Sequence, residues 1–141
     1  MQHLPWENID TVLLDMDGTL LDLHFDNFFW LRYLPECYAK KNGITYAEAE
    51  AYLQPLLASY TGQLNWYCVE FWSQTLDLPI KQMKQDTSEL IGLRANSDQF
   101  LNRLQRAGKR CVLVTNAHRD SLNIKLEKVH LAPLLDVIVS S

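Results

Sequence analysis

The apolar run Thr11-Val12-Leu13-Leu14 leads directly into Asp15-Met16-Asp17-Gly18-Thr19-Leu20, and no other stretch limits the fold of the chain so tightly. A short β-favouring run ahead of a glycine turn predicts a strand. Side chains two positions apart share a face, so Asp15 and Asp17 leave the strand's end on the same side, and Gly18 allows the backbone to turn sharply beyond them. This arrangement points to phosphoryl transfer through an aspartyl phosphate, one carboxylate attacking while its neighbour handles protons. Aspartate is a weak nucleophile, but it is ionised at neutral pH, and it becomes useful against phosphorus once a metal and nearby donors offset the repulsion between the two anions. Asp15 is the expected nucleophile and Asp17 the expected acid/base. A calcium loop is excluded: Gly18 arrives two positions early, Thr19 and Leu21 replace ligands, and a strand precedes where a helix is required. An ordinary polar turn is the remaining alternative.

After the motif the periodicity becomes helical and returns to strand only at Cys111. Asp26 is expected to cap a segment carrying Phe28, Phe29, Leu31 and Leu34, with Pro35 interrupting it and Gly43 closing the next turn. Thr45 and Glu48 form a capping box for a helix from Tyr46 to about Leu53, ending near Pro55. Leu64 to Leu76 is apolar nearly all round and predicts one largely buried helix. A polar-faced segment follows from about Lys81 to Ile91. Ser97 is expected to cap a helix bearing Phe100, Leu101, Leu104 and Ala107, which Gly108 ends. Arg110 to Thr115 reads as a buried strand, Asp120 to Val129 as a helix and Leu135 to Val139 as a last strand. The expected fold is α/β, a partial Rossmann-like core of three parallel strands with a helical cap inserted after the first. Residues 1–22 and 95–141 would form the core and 23–94 the cap.

Composition narrows the class. At 141 residues and 48% hydrophobic, the chain can build one respectable core with a small added lobe. A net charge of −4 without a Lys/Arg cluster argues against a nucleic-acid polymer as the main ligand, although a mononucleotide needs only a local site. The three cysteines, Cys37, Cys68 and Cys111, are widely spaced, no basic-then-apolar segment opens the chain, and no apolar run is long enough for a bilayer. A cytoplasmic protein with no membrane partner is expected. His3, His24, His118 and His130 lack metal-ligand spacing and read as surface or capping groups.

A second chemical signal lies at the end of the second core strand, Thr115-Asn116-Ala117. Ligands of open parallel sheets bind at the carboxyl ends of the strands, the edge to which Asp15 and Asp17 also belong. A hydroxyl, an amide and the N–H groups entering the next helix can hold phosphate oxygens without adding negative charge. The same pair would serve equally as a helix N-cap.

Together the two motifs resemble the haloacid dehalogenase superfamily, mostly magnesium-dependent phosphatases. The resemblance implies that Asp15 forms the phospho-enzyme, that Asp17 protonates the leaving oxygen and then activates water, and that Mg2+ binds Asp15 and the Asp17 carbonyl. It also implies phosphate binding by Gly18, Thr115 and Asn116. The strings L-L-D-M-D-G-T-L-L-D-L, L-N-W-Y-C and T-N-A-H look similar to the bacterial GMP/IMP 5'-nucleotidase branch, which implies a purine nucleoside monophosphate as substrate. Asn65, Trp66 and Tyr67 would then lie in the cap, where an aromatic could stack on a base; cap core is the favoured reading of Trp66 and Tyr67. The superfamily continues with a lysine after the third strand and an acidic pair after the fourth, and the sequence stops at Ser140-Ser141. Lys125 and Lys128 fall on the preceding helix, a position that rules them out as substitutes. On this reading the chain carries half of an active site. It is either the amino-terminal part of a phosphatase or a truncated, non-catalytic binding or regulatory module, with a sheet edge at Val12-Leu13-Leu14 inclined to self-associate.

Overall fold

The strands Thr11–Leu14 (β1), Arg110–Thr115 (β2) and Val137–Ser140 (β3) pair in parallel in the order β1-β2-β3. This computed structural model describes residues 3–141; Met1 and Gln2, which open the expected core segment 1–22, lie outside the described residues. Between β1 and β2 the chain forms α1 (His24–Phe28), α2 (Leu34–Asn42), α3 (Tyr46–Ser59), α4 (Val69–Leu76), α5 (Ile80–Asp86) and α6 (Ser97–Arg106). One α-helix, α7 (Arg119–Val129), followed by a 3-10 turn at Ala132–Leu134, joins β2 to β3. The α/β class and the helical insertion are therefore as the sequence reads.

Alternation divides the sheet into two faces. Leu14, Cys111 and Leu113 enter a core shared with Leu101 and Leu104 of α6 and Leu122 of α7. On the opposite face Leu13, Val114 and Val139 remain 69%, 43% and 49% exposed, in line with the registers Leu13↔Val112 and Val114↔Val139. A parallel sheet is normally covered on both sides, so this one presents a bare apolar face.

A second cluster belongs to the inserted helices and centres on Trp72, 1% exposed, whose ring meets Trp30, Tyr60, Trp66 and Phe71 at centroid distances of 5.9, 5.5, 6.2 and 5.1 Å. The indole N–H of Trp72 donates to the Trp66 carbonyl at 3.0 Å, so its polar edge is satisfied within the cluster.

Several helix boundaries differ from expectation, each for a local reason. Pro35 does not interrupt the chain, which stays helical from α1 to α2 through a wide π turn at Phe29–Tyr33, with the Leu34 N–H reaching the Phe29 carbonyl. Pro35 has no N–H for the Leu31 carbonyl, and the Tyr46 hydroxyl donates to that oxygen instead, at 3.0 Å. Helix α3 likewise runs past Pro55 to Ser59. The proline costs about 3 kcal/mol; burial of Leu53 and Leu57 returns about 1.5–3 kcal/mol each.

The expected helix from Leu64 to Leu76 is broken. A 3-10 turn at Leu64–Tyr67 leads to extended Cys68, whose sulfur accepts from the Phe71 N–H at 3.4 Å and so caps α4. The all-round apolar pattern thus belongs to two segments with different faces, and Leu64 is 70% exposed. Ser97 is the first residue of α6 rather than its cap; Asn96, in the left-handed conformation, precedes it.

The contrast within that apolar stretch is measurable by chemical denaturation. Trp72→Ala should cost about 3–5 kcal/mol, whereas Leu64→Ala should stay within about 0.5 kcal/mol.

Candidate active site

The turn after β1 is closed by its own backbone. The Met16 carbonyl accepts from the N–H groups of Thr19, Leu20 and Leu21, and the Gly18 N–H donates to the Leu21 carbonyl at 2.8 Å. Gly18 adopts φ +76°, which suits glycine alone without strain. Arg94 then donates to the Gly18 carbonyl at 2.7 Å, and its N–H to the Leu20 carbonyl. The segment leaving the core at Leu20–Asp22 is thereby paired with the segment returning at Gly92–Arg94.

Asp15 stands exposed at the strand end, one carboxylate oxygen accepting from the Met16 N–H at 2.8 Å. Asp17 differs sharply. Its side chain is one-third exposed, and its Oδ1 accepts from Lys125 Nζ at 2.7 Å. The same Nζ donates to both oxygens of Asp26, at 3.0 and 2.8 Å. Asp26 therefore does not cap the helix that it was expected to begin. Asp22 takes that task, accepting from the His24 N–H at 3.0 Å, and Asp26 faces inward from α1 to hold Lys125. Lys125 is only 3% exposed and reaches Asp17 and Asp26 from α7, contacts that its exclusion as a stand-in for the later lysine did not anticipate.

Electrostatics in this triad are asymmetric. Burial raises the Asp17 carboxyl above its ordinary value of 3.8; the Lys125 charge opposes this, and the nearby Asp26 charge adds to it. For Lys125 burial works against the charge, but Asp26 and Asp17 together outweigh it and hold the ammonium above its usual 10.5. One cation facing two carboxylates keeps its proton.

Thr115, 7% exposed, pairs with Ser140 at the end of β2, and its hydroxyl oxygen accepts from the Ala117 N–H at 3.1 Å, leaving the hydroxyl hydrogen to donate elsewhere. The Asn116 carbonyl accepts from the Ser141 hydroxyl at 2.7 Å, and the residue is exposed. Neither caps α7. That role falls to His118, whose Nδ1 accepts from the Asp120 N–H at 3.3 Å.

A cavity of about 450 Å³ opens beside Asp17. Its polar wall is Asp17, Asp26, Lys84, Ser121 and Lys125, and its apolar wall includes Trp30, Leu57, Trp66 and Tyr67. Ala117 reaches it, whereas Asp15, Gly18, Thr115 and Asn116 do not line it. Tyr67 is 38% exposed and Trp66 half-buried, so neither is closed within the cap core.

Lys84 is the functional candidate that the sequence reading passed over. It is 5% exposed, donates to Ser121 Oγ at 3.0 Å, and lies 5.3 and 5.2 Å from the ring centroids of Phe29 and Trp30. Ile80, Met83 and Lys84 are the buried residues of α5, spaced as one helical face, and a lysine at such a core position was the available signal.

For a divalent cation, the oxygens at hand are the Asp15 carboxylate and the Asp17 carbonyl, which no hydrogen bond among the described residues uses. Both are hard donors of the kind Mg2+ prefers. No group of three His, Cys, Asp or Glu suited to a metal occurs among the described residues.

The sheet thus carries paired aspartates at one strand's carboxyl end, a threonine at the next and a helical insertion between the two strands. The chain belongs to the haloacid dehalogenase-like hydrolases, whose family model matches residues 9–141. It is 43% identical over 139 residues to the GMP/IMP nucleotidase YrfG of Escherichia coli (strain K12), and equally to that of Shigella flexneri, covering 99% of this chain and 63% of each relative. The chain thus spans just under two thirds of the length of these relatives. Among solved structures it resembles the HAD phosphatase of Thermococcus onnurineus, with a TM-score of 0.81 at 20% identity over 94% of this chain and 62% of that one. A haloacid dehalogenase-like family hydrolase of Streptococcus pneumoniae matches at TM-score 0.59 and 14% identity, over 94% of this chain and 61% of that one. These likenesses establish the fold.

Full burial lowers the Lys84 pKa from 10.5 to about 8, the nearby Lys125 charge adding to the effect while Asp26 and Asp17 oppose it. A lysine whose folded pKa is depressed weakens the fold wherever both states are charged, and the penalty fades as pH rises from the folded to the unfolded value. Lys84→Met should therefore be more stable than the parent at pH 7, by an amount of order a few kcal/mol. That advantage should shrink between about pH 8 and 10.5, as thermal melts across the range will show.

Proposed function

We propose that this chain is the catalytic-motif part of a magnesium-dependent phosphomonoesterase working through an aspartyl phosphate, with purine nucleoside 5'-monophosphates such as GMP and IMP as substrates. In this reading residues 1–22 and 95–141 are the core and 23–94 the cap. The observation that carries it is the difference between the two aspartates: Asp15 stands open at the strand end, and Asp17 is held by Lys125 where burial raises its affinity for a proton above the ordinary carboxylate value. The substrate class rests on the 43% identity with a GMP/IMP nucleotidase.

Asp15 attacks phosphorus while the bond to the ester oxygen breaks, and Asp17 gives its proton to that oxygen. The Asp17 carboxylate, stabilised by Lys125, then takes a proton from water as the water oxygen attacks phosphorus and frees Asp15. Gly18, Thr115 and Asn116 would receive the phosphoryl oxygens, the Thr115 hydroxyl by donation. Mg2+ would be held by the Asp15 carboxylate and the Asp17 carbonyl and would offset negative charge on the phosphoryl group. With only these two protein ligands it would keep most of its water, so binding to this chain should be weak. The described residues include no helix long and apolar enough to cross a membrane, and the three cysteines are free, which suits a reducing compartment such as the cytoplasm.

In a chain as long as its relatives, Asp15→Asn should abolish hydrolysis of GMP, and Asp17→Asn should slow both formation and breakdown of the phospho-enzyme by about a hundredfold or more. Chelation should silence both the parent and Asp17→Asn. Quench-flow with labelled substrate resolves the two steps, and full activity in Asp15→Asn would refute the mechanism.

A second reading, a non-catalytic binding module, is favoured for this 141-residue chain alone by its two-oxygen metal site and its bare sheet face. A face carrying Leu13, Val114 and Val139, beside the edge of β1, invites self-association. Sedimentation should show the chain as larger than a monomer, and Leu13→Thr with Val139→Thr should shift it towards one.

A further inference from the structure

Lys84 lies buried with a donor capacity that the described residues do not use in full. An ammonium has three N–H groups, and the acceptor met here is Ser121 Oγ. The Phe29 and Trp30 rings attract the charge but take none of its hydrogen bonds in the ordinary sense. The charges that bear on Lys84 are Lys125 from α7, Asp26 from α1 and Asp17 from the turn after β1. Lys125 occupies both carboxylates directly. Lys84 lines the same cavity as Asp17, next to Ser121 in the first turn of α7.

We propose that Lys84 is a substrate-binding residue that donates to an oxygen of the phosphate monoester, and that the flat body of the ester lies along the aromatic wall at Trp66 and Tyr67. This deepens the nucleotidase reading and rests on it. The cavity's two chemistries fit a ligand with an anionic head and an apolar planar body, and about 450 Å³ is within the range of small-molecule sites. The wall is braced: Trp66 stacks on Trp30 with centroids 6.0 Å apart, and its carbonyl is fixed by the Trp72 indole. An incoming phosphate would supply the acceptors that Lys84 lacks, in a desolvated place where charge-assisted hydrogen bonds are strong. It would also account for a lysine kept at a core position of α5.

Calorimetric titration of the 141-residue chain with GMP, guanosine and inorganic phosphate, magnesium present, separates the parts. Lys84→Met should lose about tenfold to a hundredfold in affinity for GMP and for inorganic phosphate, with guanosine unchanged. Trp66→Leu should weaken GMP and guanosine and spare inorganic phosphate. Undiminished binding of phosphate and GMP by Lys84→Met would overturn the assignment, as would loss of guanosine with phosphate retained, or no binding of phosphate or GMP by the parent. Lysine-selective 13C labelling of the parent gives a check that needs no variant: the Lys84 Cε resonance should move with GMP and phosphate and stay still with guanosine. Lys84-dependent phosphate binding together with an active Asp15→Asn enzyme would fell the mechanism and leave this subsite. An inactive Asp15→Asn with unchanged binding in Lys84→Met would fell the subsite alone.

Discussion

A charge removed from water must find opposite charge or revert to its neutral form, and Lys125 meets that demand by drawing three separate elements together. Its stem rises from α7, one carboxylate comes from the turn after β1, and the other from the first helix of the insertion. Lys125 lies 108 and 99 residues from the two aspartates, so the ion cluster is a tertiary constraint that local propensity does not supply. It sets the approach of α1 to the sheet's carboxyl edge, fixes the Asp17 carboxylate in space and decides how readily that group holds a proton. The Phe25 ring, 5.6 Å from the ammonium, closes the apolar side of the same arrangement.

What the sequence made legible follows from how local each cause is. The strand before Asp15, the Gly18 turn, the Thr45 cap and the Arg110–Thr115 strand are written within a few residues, and all four appear in the structure. The proline boundaries were misjudged because their remedies are remote: a tyrosine hydroxyl from α3 serves the carbonyl that Pro35 cannot, and burial of Leu57 in the cluster of the inserted helices favours α3 beyond Pro55. Asp26 was read as a cap because an aspartate near a helix start fits that role, and only the fold reveals the lysine 99 residues away that it faces. Lys125 was set aside as a stand-in for the later lysine, and its bonds to Asp17 and Asp26 are long-range contacts that no local pattern announces. Lys84 was hidden by its neighbours, since α5 reads as polar although three of its positions face inward.

The two buried lysines show how the same side chain answers burial in different ways. Lys125 is matched by carboxylates on two sides and stays charged. Lys84 has a hydroxyl and two aromatic rings, and its affinity for a proton falls towards the physiological range. Arrangements that weaken a fold tend to persist where they serve a ligand, and the aromatic cluster around Trp72 supplies the rigidity against which such a group can be held.

The chain crosses between the sheet and the inserted helices twice, and the two crossings lie side by side: the Asp22 N–H donates to the Gly92 carbonyl at 3.1 Å and the Arg94 N–H to the Leu20 carbonyl at 2.9 Å. At Gly92 a β-carbon would stand 3.2 Å from an Asp22 carboxylate oxygen, so a larger residue there would make that side chain yield by a few tenths of an ångström. Because exit and return are already joined, everything between them is topologically a loop closed at its base. The sheet does not need that loop for its own connectivity. A shorter or longer excursion would leave β1 and α6 joined at the same crossings, but only one that keeps α1 would still set Asp26 against Lys125 and Phe25 in the sheet's core.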